Sequence, residues 1–163
     1  MSAIQVLTAG AAVGSGLLAG VYGIFSIAVM PALDRVAPEN GLRAMQQIND
    51  RIQNPLFFVV FMGTPLVAIA AAALGMARRA ELGSPWVGWM LVAGSVLLIV
   101  GSLAITIVAN VPRNDALAAL DPAAAGSAAA WKTYMTDWTR WNHARAVLCL
   151  LATACFAVAA LGE

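Results

Sequence analysis

One helical face near the C-terminus combines aromatic rings with polar groups that bind ligands. Its side chains recur at short helical steps: Trp131, Tyr134, Trp138, Trp141, Asn142 and Arg145. At 100° per residue, they fall within an arc of about 100° on one helix. Arg145 lies about one turn inside an apolar segment, where a cation is costly and usually faces the bundle interior. The face therefore predicts a cavity for a small molecule.

The same residues have a structural interpretation. Trp and Tyr form belts at membrane surfaces, and an Arg near a helix end extends its charge to the lipid headgroups. A belt surrounds a helix, whereas this set of rings lies on one side of it. The one-sided arrangement favours the cavity.

His143 is the only histidine of the chain. It lies about 120° from Trp131 on the helix, so it faces a different neighbour. Because imidazole exchanges protons near neutral pH, His143 is a candidate general base. The alternative is a polar residue bonded to a neighbouring helix. Zinc needs three or four ligands, so no metal site is predicted, and neither is an organic cofactor. A haem with one axial histidine, or a bound quinone, remains an alternative.

A second polar line leads to the same end of the predicted bundle. Ser102, Thr106 and Asn110 recur at four-residue steps, and Asn49 arrives there from another segment. Polar and aromatic groups thus converge on one side of the membrane. This arrangement is typical of a mostly apolar small-molecule site with a few placed polar groups.

Four apolar segments must position these residues. The 163 residues are 61% hydrophobic and 10% charged, against roughly 25% charged residues in soluble domains. Each segment is close to the ~20 residues that cross a bilayer, and they cover about 6–30, 56–77, 86–109 and 141–161. The prediction is an all-α, single-domain four-transmembrane-helix bundle over 1–163. A net charge of +1 indicates no nucleic-acid partner.

The two long connections, 31–55 and 110–140, lie on one side of the membrane. Leu42, Met45, Ile48 and Ile52 recur at helical spacing between 40 and 53, which predicts an amphipathic helix. A short turn or helix through Leu120 follows Asn110, and a helix from about Ala128 enters the fourth span. Together they predict a helical cap over one end of the bundle.

Loop charges and small residues indicate orientation and packing. Basic residues are more numerous on the side of the long loops: Arg35, Arg43, Arg51, Arg113, Lys132 and Arg140, against Arg78 and Arg79. We therefore expect these loops in the cytoplasm, and the chain in the inner membrane of a bacterial cell. The glycines of the first span predict close packing within the bundle. A homo-oligomer or a partner in a membrane complex is the alternative.

Three motifs carry a family resemblance: Ala44-Met45-Gln46-Gln47-Ile48-Asn49, Asn110-Val111-Pro112-x-Asn114 and Trp131-x-x-Tyr134-x-x-x-Trp138-x-x-Trp141-Asn142-His143-x-Arg145. In order and spacing they resemble the anthrone oxygenase-like membrane family, also called DUF1772, over nearly the whole chain. The resemblance implies oxidation of an anthrone-type phenolic to a quinone by O₂, with no dedicated organic cofactor or metal. It assigns site positions to Asn49, Asn110, Asn114, Trp138, Trp141, Asn142, His143 and Arg145.

The implied chemistry is a hypothesis about a membrane-embedded oxygenase or oxidase for an anthrone-like, phenolic or quinol substrate. His143 would remove the benzylic proton, and Asn142, Asn110 or Arg145 would stabilise the enolate oxygen. The enolate would react with O₂, while Trp138, Trp141 and Tyr134 stack on the flat substrate. The alternative is a non-enzymatic membrane protein that binds a lipid or quinone, or an accessory subunit of a membrane complex.

Overall fold

The apolar segments and the amphipathic segment all form helices. The computed structural model describes residues 2–82 and 84–162, which fold without a β-strand into α1 (Ala3–Leu33), α2 (Pro38–Ile52), α3 (Pro55–Ala77), α4 (Trp86–Ala118) and α5 (Ser127–Leu161). All except α2 are long and apolar enough to cross a membrane. The chain is therefore an all-α integral membrane protein, and the predicted fold class is confirmed.

Local capping explains where α1 and α3 begin. Ser2 Oγ accepts a hydrogen bond from the Gln5 amide at 3.3 Å, and Gln5 Oε1 accepts one from the Ser2 amide at 2.9 Å. This reciprocal pair satisfies two backbone amide donors that would otherwise have no partner at the start of the helix. Asn54 caps α3 with a single bond, because its Oδ1 accepts from the Phe57 amide at 3.0 Å. Pro55 then occupies the first helical position, where no amide donor is needed.

α1 and α4 widen into π-helical turns just before their internal prolines. These turns are Phe25–Val29 in α1 and Ile99–Ala104 and Thr106–Asn110 in α4. A proline ring crowds the carbonyl four residues earlier and donates no hydrogen bond. In both helices that carbonyl belongs to a π-turn, whose wider spacing accommodates Pro31 and Pro112. For this reason α4 continues to Ala118, past the predicted end of its span at 109.

The four long helices pack in a ring in chain order. α1 contacts α3 and α5, and α4 contacts the same two helices. Glycines allow the closest approaches: a Cβ on Gly14 would lie 2.6 Å from Thr64 Cγ2, and one on Gly101 would lie 2.6 Å from Leu148 Cβ. A Cβ on Gly20, in contrast, would meet no atom within 4 Å. The small residues at the first two contacts therefore serve packing within the bundle.

α2 lies across the end of the bundle with its apolar face inward. Leu42 and Met45 are fully buried in a cluster that includes Trp131 of α5 and Leu117 of α4. Gln46 Nε2 donates to the Leu117 carbonyl at 2.9 Å and to the Leu120 carbonyl at 3.0 Å. The amphipathic helix expected between 40 and 53 is thus α2, and it covers one end of the four long helices.

Candidate functional site

A cavity of about 230 Å³ lies under α2, where α1, α3, α4 and α5 meet. Its apolar wall is aromatic, with Phe25, Phe57, Phe61 and Trp138 among its residues. Its volume is below the roughly 300–1,000 Å³ of pockets for drug-sized ligands. The size and the rings suit a small, flat molecule.

Arg145 is the buried cation of this cavity. Its residue is 6% exposed, and its Cζ lies 3.7 Å from the centroid of the Tyr22 ring. Nη1 donates to Asn142 Oδ1 at 3.3 Å, whereas the buried Nε has no hydrogen-bond partner. No carboxylate within residues 2–82 and 84–162 forms an ion pair with Arg145. A buried charge without a counter-ion is costly, so the site is suited to a negatively charged ligand.

Asn142 holds this cation in place rather than offering donors to a ligand. Its Nδ2 donates to the Tyr22 carbonyl at 2.7 Å and to Ser26 Oγ at 2.8 Å. These bonds use both amide hydrogens, and Oδ1 accepts from Arg145. Asn142 therefore ties α5 to α1 and orients the guanidinium. A direct bond from Asn142 to an enolate oxygen, as expected from the sequence, would require one of these contacts to break.

Asn110 and Trp138 line the cavity, and each has a polar atom without a hydrogen-bond partner. Asn110 Nδ2 donates to the Trp138 carbonyl at 3.4 Å. Asn110 Oδ1 and Trp138 Nε1 are both buried and have no hydrogen-bond partner among the described residues. Buried polar atoms are nearly always paired. With Arg145 Nε, the residues of the wall thus hold two donors and one acceptor that no described residue pairs.

Tyr134 lies behind the residues that line the cavity and contacts several of them. Its hydroxyl donates to Asn114 Oδ1 at 3.0 Å and accepts from Asn49 Nδ2 at 3.5 Å. Its ring stacks between Trp131 and Trp138, with centroid distances of 5.6 and 6.1 Å. Asn49 and Asn114 line the cavity, whereas Tyr134 does not. The phenol therefore orients two site amides, and its expected stacking on a ligand does not fit this placement.

His143 and Trp141 lie outside the cavity. His143 is exposed on the outer face of α5, beside the end of α1, and Trp141 is 40% exposed. His143 is about 120° from Trp131, and Trp141 lies at the edge of the aromatic arc. The proposed proton transfer by His143 and stacking by Trp141 therefore do not fit a ligand held in this cavity.

The contribution of α1 to the site was not predicted from the sequence. Tyr22 supplies a ring and a carbonyl to the site, and its hydroxyl shares a hydrogen bond with Ser102 Oγ at 3.1 Å. Ser26 accepts from Asn142. A tyrosine and a serine four residues apart in an otherwise apolar span are a signal that could have been recognised. The chain has only two tyrosines, and both support this site.

The described residues contain no group of three or more His, Cys, Asp or Glu side chains that could hold a metal ion. The polar and aromatic side chains that line the cavity include aromatic rings, amides and one guanidinium. That no cofactor takes part is still a prediction from the sequence.

Part of the chain matches the model of a known protein family. A family model described as anthrone oxygenase matches residues 57–155. No curated protein and no solved structure matches the chain. The matched region includes most of α3, all of α4 and most of α5, with Asn110, Trp138 and Arg145 inside it.

Proposed function

The chain belongs to the anthrone oxygenase family, and on this premise we propose that it oxidises a small phenolic compound of the anthrone type with O₂ inside the membrane. The substrate would occupy the cavity under α2. Its flat rings would pack against Phe25 and Trp138, which lie 5.9 Å apart between ring centroids. Tilted or offset contacts with aromatic rings stabilise a planar ligand.

The unpaired charge of Arg145 carries this proposal. A phenolic ketone of this class becomes reactive toward O₂ when it loses its benzylic proton and forms an enolate. The Arg145 guanidinium would bind the enolate oxygen, and a donor placed in advance where charge develops lowers the barrier most effectively. Trp138 Nε1 and Asn110 Oδ1, both without partners, would bind further oxygen or hydroxyl groups of the ligand.

The reaction balances without an added reductant. The enolate carbon forms a bond with O₂, and after protonation it carries a hydroperoxide. The O–O bond then breaks, the second hydrogen leaves the same carbon, and one molecule of water is released. The substrate CH₂ group becomes the second quinone carbonyl, so each turnover consumes one O₂ and forms one quinone and one water.

The proton acceptor needs a new assignment, because His143 lies outside the cavity. Asp115 is the one carboxylate among the described residues that line it, and it is exposed. We assign the removal of the benzylic proton to Asp115 or to water beside it. An exposed carboxylate can return this proton to bulk water after each turnover.

The test is turnover by purified protein reconstituted in lipid nanodiscs. Anthrone is added, and O₂ uptake and quinone absorbance are followed together against protein-free nanodiscs, which report spontaneous oxidation. We expect protein-dependent quinone formation that falls at least tenfold in Arg145→Met. The exposed Arg51 gives a matched control in Arg51→Met, which should keep the wild-type rate.

Two outcomes would contradict the proposal. Rates equal to those of empty nanodiscs would exclude oxidation of this substrate. Tight binding of anthrone without turnover would instead favour the alternative of a membrane protein that only binds phenols or quinones.

A further inference from the structure

A shallow depression on the outer surface lies between the end of α1 and the exposed face of α5. α1 contributes Met30, the turn after it contributes Asp34, and α5 contributes Lys132, Thr139, Arg140 and His143. We propose that this depression binds the headgroup of an anionic phospholipid, with the phosphodiester against Arg140 and His143. The assignment is independent of the function proposed for the cavity.

The charges of the depression match a phosphodiester. Lys132 and Arg140 form no ion pair within the described part of the chain, and Asp34 is the one acidic residue of its wall. Two permanent cations against one carboxylate leave a net positive charge, which one phosphodiester neutralises. Asp34 is available to accept a hydrogen bond from a headgroup hydroxyl, as glycerol provides.

The position of the depression along the membrane normal matches the headgroup region of a bilayer. Arg140 and His143 are exposed at the start of the apolar part of α5, and Trp141 between them is 40% exposed. Half-exposed tryptophans are typical of the membrane–water interface. Helical side chains lean toward the N-terminus, which for α5 is the side of α2. Both residues therefore reach outward, to the level of lipid phosphates.

An apolar path continues below these basic residues. Val147 and Leu150 are 54% and 62% exposed, and both lie within about 40° of His143 around α5. A lipid whose phosphate meets Arg140 would thus place an acyl chain along the same helical face. A free phosphate ion would leave that face unused.

The wall of the depression also contains a buried hydroxyl group. Thr139 lines the depression, and its Oγ1 is buried without a hydrogen-bond partner in the residues that the structure describes. Unpaired buried hydroxyls are uncommon. Rotation of the Thr139 side chain toward the depression would let a phosphate oxygen provide the missing acceptor.

Native mass spectrometry of the full chain in detergent tests this proposal. Phosphatidylglycerol and phosphatidylcholine with identical acyl chains are titrated separately, and their Kd values are compared. The variant K132Q/R140Q should weaken phosphatidylglycerol binding roughly thirtyfold, or about fivefold for each basic residue at a membrane surface. The matched control R78Q/R79Q, which removes two exposed arginines at the other end of the bundle, should bind like the wild type.

Further variants keep the result interpretable. Arg140→Gln alone should cost about fivefold, and Thr139→Val should also weaken binding of phosphatidylglycerol. Equal Kd values for the two lipids in the wild type, or an equal loss in R78Q/R79Q, would overturn the proposal. Displacement of the lipid by an equal concentration of inorganic phosphate would also overturn it, because the site would then recognise phosphate alone.

Discussion

Arg145→Met removes the positive charge of the cavity and keeps a long, flexible side chain. An ionised phenol bound in the wild type would lose a charge-assisted hydrogen bond to the guanidinium, whose Nε has no partner. Such bonds contribute about 1.5–3 kcal/mol. The Kd of a phenolate ligand should therefore rise roughly 10- to 150-fold.

The same substitution should act differently on stability. Arg145→Met removes the contact with the Tyr22 ring, which contributes about 0.5–2 kcal/mol, and one hydrogen bond to Asn142, which contributes about 1 kcal/mol. It also removes the cost of an unpaired buried charge, which amounts to several kcal/mol. We expect the free energy of unfolding to stay the same or to rise. A residue kept for ligand binding shows this combination of lost affinity and retained stability.

The assay is a binding titration with two probes, a hydroxylated anthraquinone and the same ring system without hydroxyl groups. Quenching of tryptophan fluorescence reports binding, because Trp138 lines the cavity. Only the hydroxylated probe should lose affinity in Arg145→Met, and Arg51→Met should change neither Kd. A rise of less than threefold would refute the reasoning, as would an equal rise for both probes, which would indicate lost packing instead of lost charge.

Two further predictions concern the bundle and the wall behind the site. Gly14→Ala should lower the free energy of unfolding by about 1–3 kcal/mol, because the new methyl group would overlap Thr64. Thr64→Ala in the same chain should restore stability, and Gly20→Ala should cause no loss, since its Cβ would meet open space. Tyr134→Phe should cost about 1 kcal/mol in unfolding free energy, because Asn114 Oδ1 would lose its donor; an unchanged value would show that this hydrogen bond does not contribute. Denaturant titrations in mixed micelles measure all four variants.

The fold could be predicted from the sequence because its signals are local. Four runs of apolar residues exceed the width of a bilayer, and the spacing of Leu42, Met45 and Ile48 has the period of a helix. The continuation of α4 through Pro112 could not be predicted in this way. It depends on a π-turn, and no residue type marks such a turn in advance.

The candidate site was predictable on the helices that carry a pattern or a motif, but not on α1. The arc on α5 brings Trp138, Asn142 and Arg145 to the cavity, as helical geometry requires. The same geometry does not say which helix stands opposite, so the roles of Tyr22 and Ser26 on α1 were missed. Helical angle also could not show that His143 meets the outer surface, because only packing decides which part of a helix is covered.

The origin of the oxygen atom in the product tests the central claim most directly. Wild-type protein in nanodiscs is supplied with anthrone under ¹⁸O₂, and the quinone is analysed by mass spectrometry against protein-free nanodiscs. We predict protein-dependent quinone that carries one ¹⁸O atom, formed with an equal amount of consumed O₂. Quinone formed without label, or label that appears equally fast without the protein, would contradict oxidation of the substrate by O₂ in this cavity.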